Sequence, residues 1–389
     1  MEGICDIQYS TFNIQYSTFD IQNSIFSMCS LLDPVQVVGL MSGTSLDGLD
    51  IALCKFSNRD KWHFRIIEAT TIRYSEEWRK RLQSLPVATA EVFAETDSAY
   101  GHLLGREVTT FLNGLEKRGF EVKPLCVASH GHTIFHDPAR GFTSQIGDGA
   151  ALAVASGYQV VCDFRRGDVG LGGQGAPLVP IGDQLLFGDY DGCLNLGGIA
   201  NVSFMREGQR FGWDISPVNM ALNYIAGLKG LEYDKDGYSA QRGQLIRTLF
   251  DYLNDLAFLK MDPPKTLGRE WFDEKIRPMI DLYKSSPDDL LATLTYWISD
   301  VISAELNRFF DPQKRILCTG GGAHNSYLIS LMKEKTRAEI VVPDRLLIDY
   351  KEALIFAFLG YLRLQGLPNN VPSCTGASRN HSGGAVYLP

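Results

Sequence analysis

The chain has no excess of positive charge: 37 lysines and arginines stand against 45 aspartates and glutamates, for a formal net charge of -8. That balance argues against a surface built to neutralise a nucleic-acid backbone. Long hydrophobic runs are missing too. A bilayer span needs about 18–20 apolar residues, and the run from Ala353 to Leu359 is far shorter. The eight cysteines (5, 29, 54, 126, 162, 193, 318 and 374) include no C-x-x-C pair, so no zinc-cage or thioredoxin-like spacing is present. They are expected to be reduced thiols, mostly buried. The start, Met1-Glu2, has neither a basic region nor an apolar signal core, which makes a cytoplasmic protein the expectation. No G-x-x-x-x-G-K-[ST] string occurs, so the P-loop kinases are excluded by their own requirement for that lysine.

What is present is organised in two halves. At 389 residues the chain exceeds the size of most single cores, so two domains are expected. Residues 6–26 are three tandem heptapeptides, too short for a solenoid and without coiled-coil spacing. Residues 1–34 are expected to form a disordered arm, with Met28 the better initiator. Beyond it, Val37–Met41, Ile51–Phe56 and His63–Thr71 predict three strands. A helix follows, carrying Phe93, Tyr100, Leu104, Val108, Phe111, Leu112 and Leu115 on one face, then the strand Leu125–Ser129, the helix Gly149–Ser156 and the strand Tyr158–Cys162. The second half repeats this: strands at Gly192–Leu196, Asn201–Phe204 and Arg210–Asp214, a helix from about Leu291 to Phe310, strands at Arg315–Thr319 and Ala338–Val342, and an apolar helix from Glu352 to Leu364. The pattern predicts a duplicated α/β fold with lobes at 35–165 and 166–389, a cleft between them and an insertion at about 229–290. The last residues are allowed to return to the first lobe.

Three small-residue turns fall at matching places. Gly43-Thr44-Ser45-Leu46-Asp47-Gly48-Leu49-Asp50 interrupts an apolar run and predicts a hairpin whose tip can hold phosphate, with Asp47 on Mg²⁺ through water. Gly197-Gly198 forms the second turn, and Gly320-Gly321-Gly322 lies between a strand and a helix, where backbone N–H groups favour an anion. Each alone reads equally well as an ordinary polar turn; together they favour nucleotide chemistry.

At these residues the sequence resembles the actin-like ATPase and sugar-kinase superfamily, with its duplicated ribonuclease H-like lobes. More narrowly, it resembles the anhydro-N-acetylmuramic acid kinase family. The resemblance is carried by Gly39 to Gly48, Ser129-His130-Gly131-His132-Thr133, Asp163 to Asp168, Gly172-Gly173-Gln174-Gly175-Ala176-Pro177-Leu178-Val179-Pro180, Leu194 to Asn201 and Gly320 to Gly322. Thr375-Gly376-Ala377 and Gly383-Gly384-Ala385 fit as well. The resemblance implies ATP and Mg²⁺ as cofactors and a small sugar as substrate. The reaction it implies opens a 1,6-anhydro bond with water and phosphorylates the freed 6-oxygen. It also implies that Asp214 is the base that activates water, where a strand-end acid capping the next helix is the plain alternative. ATP is expected on Gly43 to Asp50, Gly197, Gly198 and Gly320 to Gly322, the last three bordering the adenosine, and the sugar on His130, Arg165, Asp168, Gln174 and Asn219. No nucleic acid or membrane partner is expected, and a homodimer is left open.

Two departures stand out. Ser216-Pro217-Val218-Asn219 replaces the family's Gly-Pro-Gly-Asn, and His132 replaces a usual glutamine. Losing two glycines threatens to crowd the pocket, which keeps open a kinase for another sugar or a silent nucleotide sensor. His130, His132 and His136 suggest a metal site by spacing, but ordinary turn or substrate-contact histidines are the better expectation. Gly170 to Gly175 matches G-x-G-x-x-G, yet Pro177 and Pro180 follow instead of an uninterrupted helix, and a loop shaping the sugar pocket is expected.

Overall fold

The computed structural model describes residues 34–43 and 46–389. The heptapeptide arm, Met28, Thr44 and Ser45 lie outside the described residues. Val35–Ser42 (β1) and Gly48–Asn58 (β2), apolar runs buried on both faces, and Trp62–Arg73 (β3) form an antiparallel meander. Pro124–Asp137 (β4) then lies parallel to β1, Phe142–Ile146 (β5) folds back on β4, and Val160–Cys162 (β6) adds parallel to β4. The second half supplies another antiparallel meander, Gly192–Leu196 (β7), Ile199–Arg206 (β8) and Gln209–Pro217 (β9). Parallel strands Arg315–Thr319 (β10) and Glu339–Val341 (β11) complete its sheet. Ala385–Tyr387 (β12) pairs antiparallel with β6, so the chain does return to the first sheet.

The order in the first sheet is β12-β6-β4-β1-β2-β3, with β5 on β4; in the second it is β11-β10-β7-β8-β9. Counting from the meander, both sheets run third-second-first-fourth-fifth. This is the duplicated actin-like arrangement anticipated from the two half-chain patterns. β5 was not anticipated: β4 runs past the His130-Gly131-His132 motif to Asp137 before turning.

Three apolar clusters fill the molecule. One lies between the first sheet and the helix Ala90–Lys117, which starts at a Thr89 cap and buries Tyr100, Leu104, Val108, Leu112 and Leu115. Another joins the second sheet to the helix Pro287–Phe309 and to elements of the insertion. The third lies between the sheets around the helix Arg345–Leu364, with Phe56, Cys193 and Leu317 contributed from the two sides. The apolar helix expected to close the second unit therefore packs on the first sheet. Gly39 explains the closeness, because a Cβ there would strike the Ala353 carbonyl. The helix departs from helical geometry at Tyr350 (φ -117°, ψ 17°).

Cys54, Cys126, Cys162, Cys193 and Cys318 are buried free thiols, as expected, and Cys374 is half-buried. Among the described residues no helix is long and apolar enough to cross a membrane.

Candidate active site

The Gly197-Gly198 turn and the Gly320 to Gly322 turn meet because β7 and β10 are adjacent and parallel, with Thr319 in register with Asn195. Gly320 (φ 84°, ψ 160°) occupies a region that is essentially glycine-only. A Cβ there would lie 2.5 Å from Asn195 Oδ1 and 2.9 Å from the Leu196 carbonyl. A Gly320→Ala variant should carry about 1–3 kcal/mol of strain and displace Asn195. We expect nucleotide affinity to fall by about tenfold, measured by calorimetry; unchanged affinity would contradict a nucleotide role for this turn.

Asn219 closes the same corner. Its Nδ2 donates to the Leu196 carbonyl at 3.1 Å, while its backbone N–H and those of Val218 and Met220 donate to the carbonyls of Gly197 and Gly198. The turn thus caps the helix Asn219–Gly227, and the amide of Asn219 also faces Gly321 and Gly322. Ser216 and Val218, the two replaced glycines, are fully buried, with Val218 inside the second sheet's core. Packed in that core, the Val218 side chain does not narrow the site.

Asp214 lies within β9, opposite Asn201, just before a bulge at Ile215. It is not a strand-end cap. Its backbone N–H donates to the Lys265 carbonyl, and its Oδ2 accepts from the Leu267 N–H at 2.9 Å. A strap of the 229–290 insertion therefore runs along β9 and fixes one carboxylate oxygen, and among the described residues none donates to Oδ1. Burial raises the Asp214 pKa, against the opposing pull of the Leu267 N–H.

The first hairpin is only partly what its sequence promised. Gly43 ends β1 and Asp47 is exposed, but Gly48 pairs with Arg73 and its missing Cβ makes room for the Ile72 carbonyl at 2.5 Å. Leu49 is 2% exposed and belongs to the core. Gly48 and Leu49, expected to hold phosphate, are thus committed to strand pairing and core packing. Thr71 donates to Asp50 at 2.5 Å. Burial, and the negative charges of Glu352, Asp349 and Asp47, push Asp50 up to about 6. Glu352 and Asp349 come from the interlobe helix, and their position beside Asp50 was not foreseen. His324, in the glycine turn, pairs with Asp349 at 2.5 Å, linking that helix to the second lobe.

Behind the hairpin, Ser42 joins His132 Nδ1 at 2.9 Å and accepts from Tyr74, which meets Tyr100 at 2.5 Å. His132 is buried, which lowers its pKa to about 4; it anchors the hairpin from within. His130 Nδ1 faces the Gly131 carbonyl at 2.9 Å and so carries the proton, leaving Nε2 to accept from Arg165 at 2.8 and 3.1 Å. Burial, and then the Arg165 charge, hold His130 well below its usual pKa. His130 orients Arg165, which also donates to the Gly175 carbonyl. Among the described residues no three His, Cys, Asp or Glu side chains group as a metal cage.

Asp168 is fully buried and accepts from Thr375 Oγ1, Asn370 Nδ2 and the Gly175 N–H. Its carboxylate ties the Gly172 to Gly175 loop to the chain's end, a structural role where a sugar contact was expected. Gln174 is exposed on that loop, with its backbone N–H bonded to the Thr375 carbonyl. Arg166 pairs with Asp163 at 3.5 Å.

Glycine turns at the strand ends of a duplicated sheet, in a chain with no P-loop lysine motif, mark the actin-like class of ATP-using phosphotransferases. Within that class the chain belongs to the anhydro-N-acetylmuramic acid kinase family, whose profile matches residues 35–389. A relative of that name from Vibrio vulnificus (strain YJ016) is 35% identical over 366 residues, covering 90% of this chain and 97% of the relative. Another, from Haemophilus influenzae (strain ATCC 51907 / DSM 11121 / KW20 / Rd), is 33% identical over 381 residues, covering 92% and 98%. Among solved structures, the activator of the 2-hydroxyisocaproyl-CoA dehydratase from Clostridium difficile with bound ADPNP has a TM-score of 0.42 at 13% identity, over 84% of this chain and 94% of that one.

Proposed function

We propose that the chain is a cytoplasmic ATP-dependent kinase that opens 1,6-anhydro-N-acetylmuramic acid with water and phosphorylates its 6-oxygen. The products are N-acetylmuramate 6-phosphate and ADP, as peptidoglycan recycling and amino sugar catabolism require. The family membership carries this proposal, and Asp214 supplies the chemistry. With Oδ2 held by the Leu267 N–H, Oδ1 is free to take a proton from water. Water then bonds to the anomeric carbon, the anhydro C–O bond breaks, and its electron pair passes to the 6-oxygen, which attacks the γ-phosphorus of ATP as the bond from that phosphorus to the β–γ bridging oxygen breaks and ADP leaves.

Gly43, Leu46, Gly197, Gly198 and Gly320 to Gly322 present backbone to the phosphates, and Asn219 steadies the Gly197-Gly198 turn. Arg165, oriented by His130, and Gln174 face the sugar. Asp47 and Asp50 are oxygen donors in a locally acidic setting that a divalent cation would relieve, and Mg²⁺ is characteristically held by one or two carboxylates plus phosphates and water. Bound there, Mg²⁺ would neutralise phosphate charge. The lobes built on the two sheets, closing together, would exclude bulk water.

Incubation with Mg²⁺-ATP and the anhydro sugar in ¹⁸O-water should give a phosphosugar with one ¹⁸O at the anomeric position by mass spectrometry. Unchanged sugar beside demonstrable nucleotide binding would reject the proposal.

A further inference from the structure

Four polar residues occupy one cross-strand row of the second sheet. Thr319 on β10 is in register with Asn195 on β7, Asn195 with Asn201 on β8, and Asn201 with Asp214 on β9. Residues paired in this way share a sheet face. Their chain neighbours Leu194, Leu196, Val202, Trp213, Ile215 and Cys318 all belong to the second sheet's own core. The row therefore projects from the opposite face, and at three spacings of about 4.8 Å it extends about 14 Å.

Three of its four residues have polar groups unspent on the protein; the fourth, Asp214, gives one carboxylate oxygen to the Leu267 N–H. Thr319 is fully buried, and its Oγ1 has no hydrogen-bond partner. No hydrogen bond among the described residues engages the carboxamide of Asn195 or Asn201. Leaving a buried hydroxyl unsatisfied costs about 1–3 kcal/mol, so such groups are normally met by a ligand or water. The row also has a direction. Asn195 is bracketed by the glycine turns, its Nδ2 lying 3.1 Å from where a Gly197 Cβ would sit and its Oδ1 2.5 Å from that of Gly320. Asn201 is one strand spacing from Asp214.

We infer that this row is a ligand track with a fixed order: Thr319 and Asn195 serve the nucleotide phosphates, and Asn201 holds the sugar beside Asp214. The inference rests on the function proposed above for the ligands' identity. A neutral carboxamide suits the sugar end, because it donates and accepts hydrogen bonds without adding a charge that would shift the neighbouring carboxylate.

The test is a pair of alanine variants, each titrated calorimetrically with the anhydro sugar and separately with an ATP analogue whose β–γ bridge is uncleavable. Asn201→Ala should weaken sugar binding by about tenfold and leave the nucleotide within about twofold, with Asn195→Ala showing the reverse. A general structural role would move both ligands together in both variants, and that outcome, or no change in either, overturns the inference. Should a variant fail to fold, the side-chain amide resonances of Asn195 and Asn201 in the unaltered protein give the same answer: each should respond to its own ligand, and a crossed or absent response rejects the track. Wild-type protein that binds both ligands with this partition but transfers no phosphate would reject the kinase proposal while leaving the track standing.

Discussion

Asp214→Asn is expected to lower turnover by about 10²–10⁴ while leaving nucleotide affinity unchanged. The geometry makes the exchange clean. An asparagine oxygen still accepts from the Leu267 N–H, so the strap stays attached and only the proton acceptor is removed. A companion result is expected in the pH profile. Burial raises the Asp214 pKa above the usual aspartate value of 3.8, and a general base works only when ionised. The value of kcat/KM should therefore fall as pH drops through a limb lying above 3.8, and that limb should vanish from the residual activity of the variant. Wild-type turnover by Asp214→Asn in the ¹⁸O assay would remove Asp214 from the chemistry.

The largest stability effect is expected at Asp183. Asp183 and Lys351 form an ion pair at 2.7 Å with both side chains 5% exposed, and Arg210, 4% exposed, approaches the other oxygen at 3.7 Å. Ser203 donates to the same oxygen at 2.6 Å. One buried carboxylate thus faces two buried cations. Asp183→Asn would leave both uncompensated, costing about 3–5 kcal/mol, measurable by urea denaturation. Loss below about 1 kcal/mol would mean that water reaches the cations. Burial alone would push the Asp183 pKa up, but Lys351 and Arg210 overrule it and hold it below the usual value. For a depressed acid, the stabilisation is complete above the unfolded pKa, near 3.9. It is lost as pH falls through the lower folded value. The Lys351 pKa is raised despite desolvation by burial, chiefly by Asp183. Its contribution is complete below about 10.4 and lost as pH rises through the folded value. The network should accordingly hold across the neutral range.

Much of this architecture is legible in the residues because local pattern and tertiary role coincide. The β1 to β3 and β7 to β9 meanders announce themselves as short apolar runs separated by turn residues, and the Ala90–Lys117 helix by its apolar face and Thr89 cap. The glycine turns are legible as turns, and their convergence follows from the repeated order. Illegible features depend on which surfaces meet. The helix Arg345–Leu364 is apolar whichever lobe it joins, so its docking against Gly39, and with it Glu352 and Asp349 beside Asp50, has no local signature. Asp168 sits among motif residues yet is consumed by Thr375 and Asn370, some 200 positions away in the chain. The Lys265-Thr266-Leu267 strap holds Asp214 through main-chain atoms, which side-chain patterns do not report. Gly48 shows the reverse error: the turn sequence suggests ligand space, but β3 occupies it.

The position of β12 bears on how the molecule is made. The sheet that starts with β1 receives its last strand from Ala385–Tyr387, and its inner face is covered by the helix Arg345–Leu364. During synthesis the first half of the chain therefore emerges with one face of its sheet bare until nearly the whole chain has left the ribosome, whereas the second sheet can assemble from β7 to β11 without waiting. The half encoded first is finished last, and the long interval favours partners that shield bare sheet surface on the nascent chain.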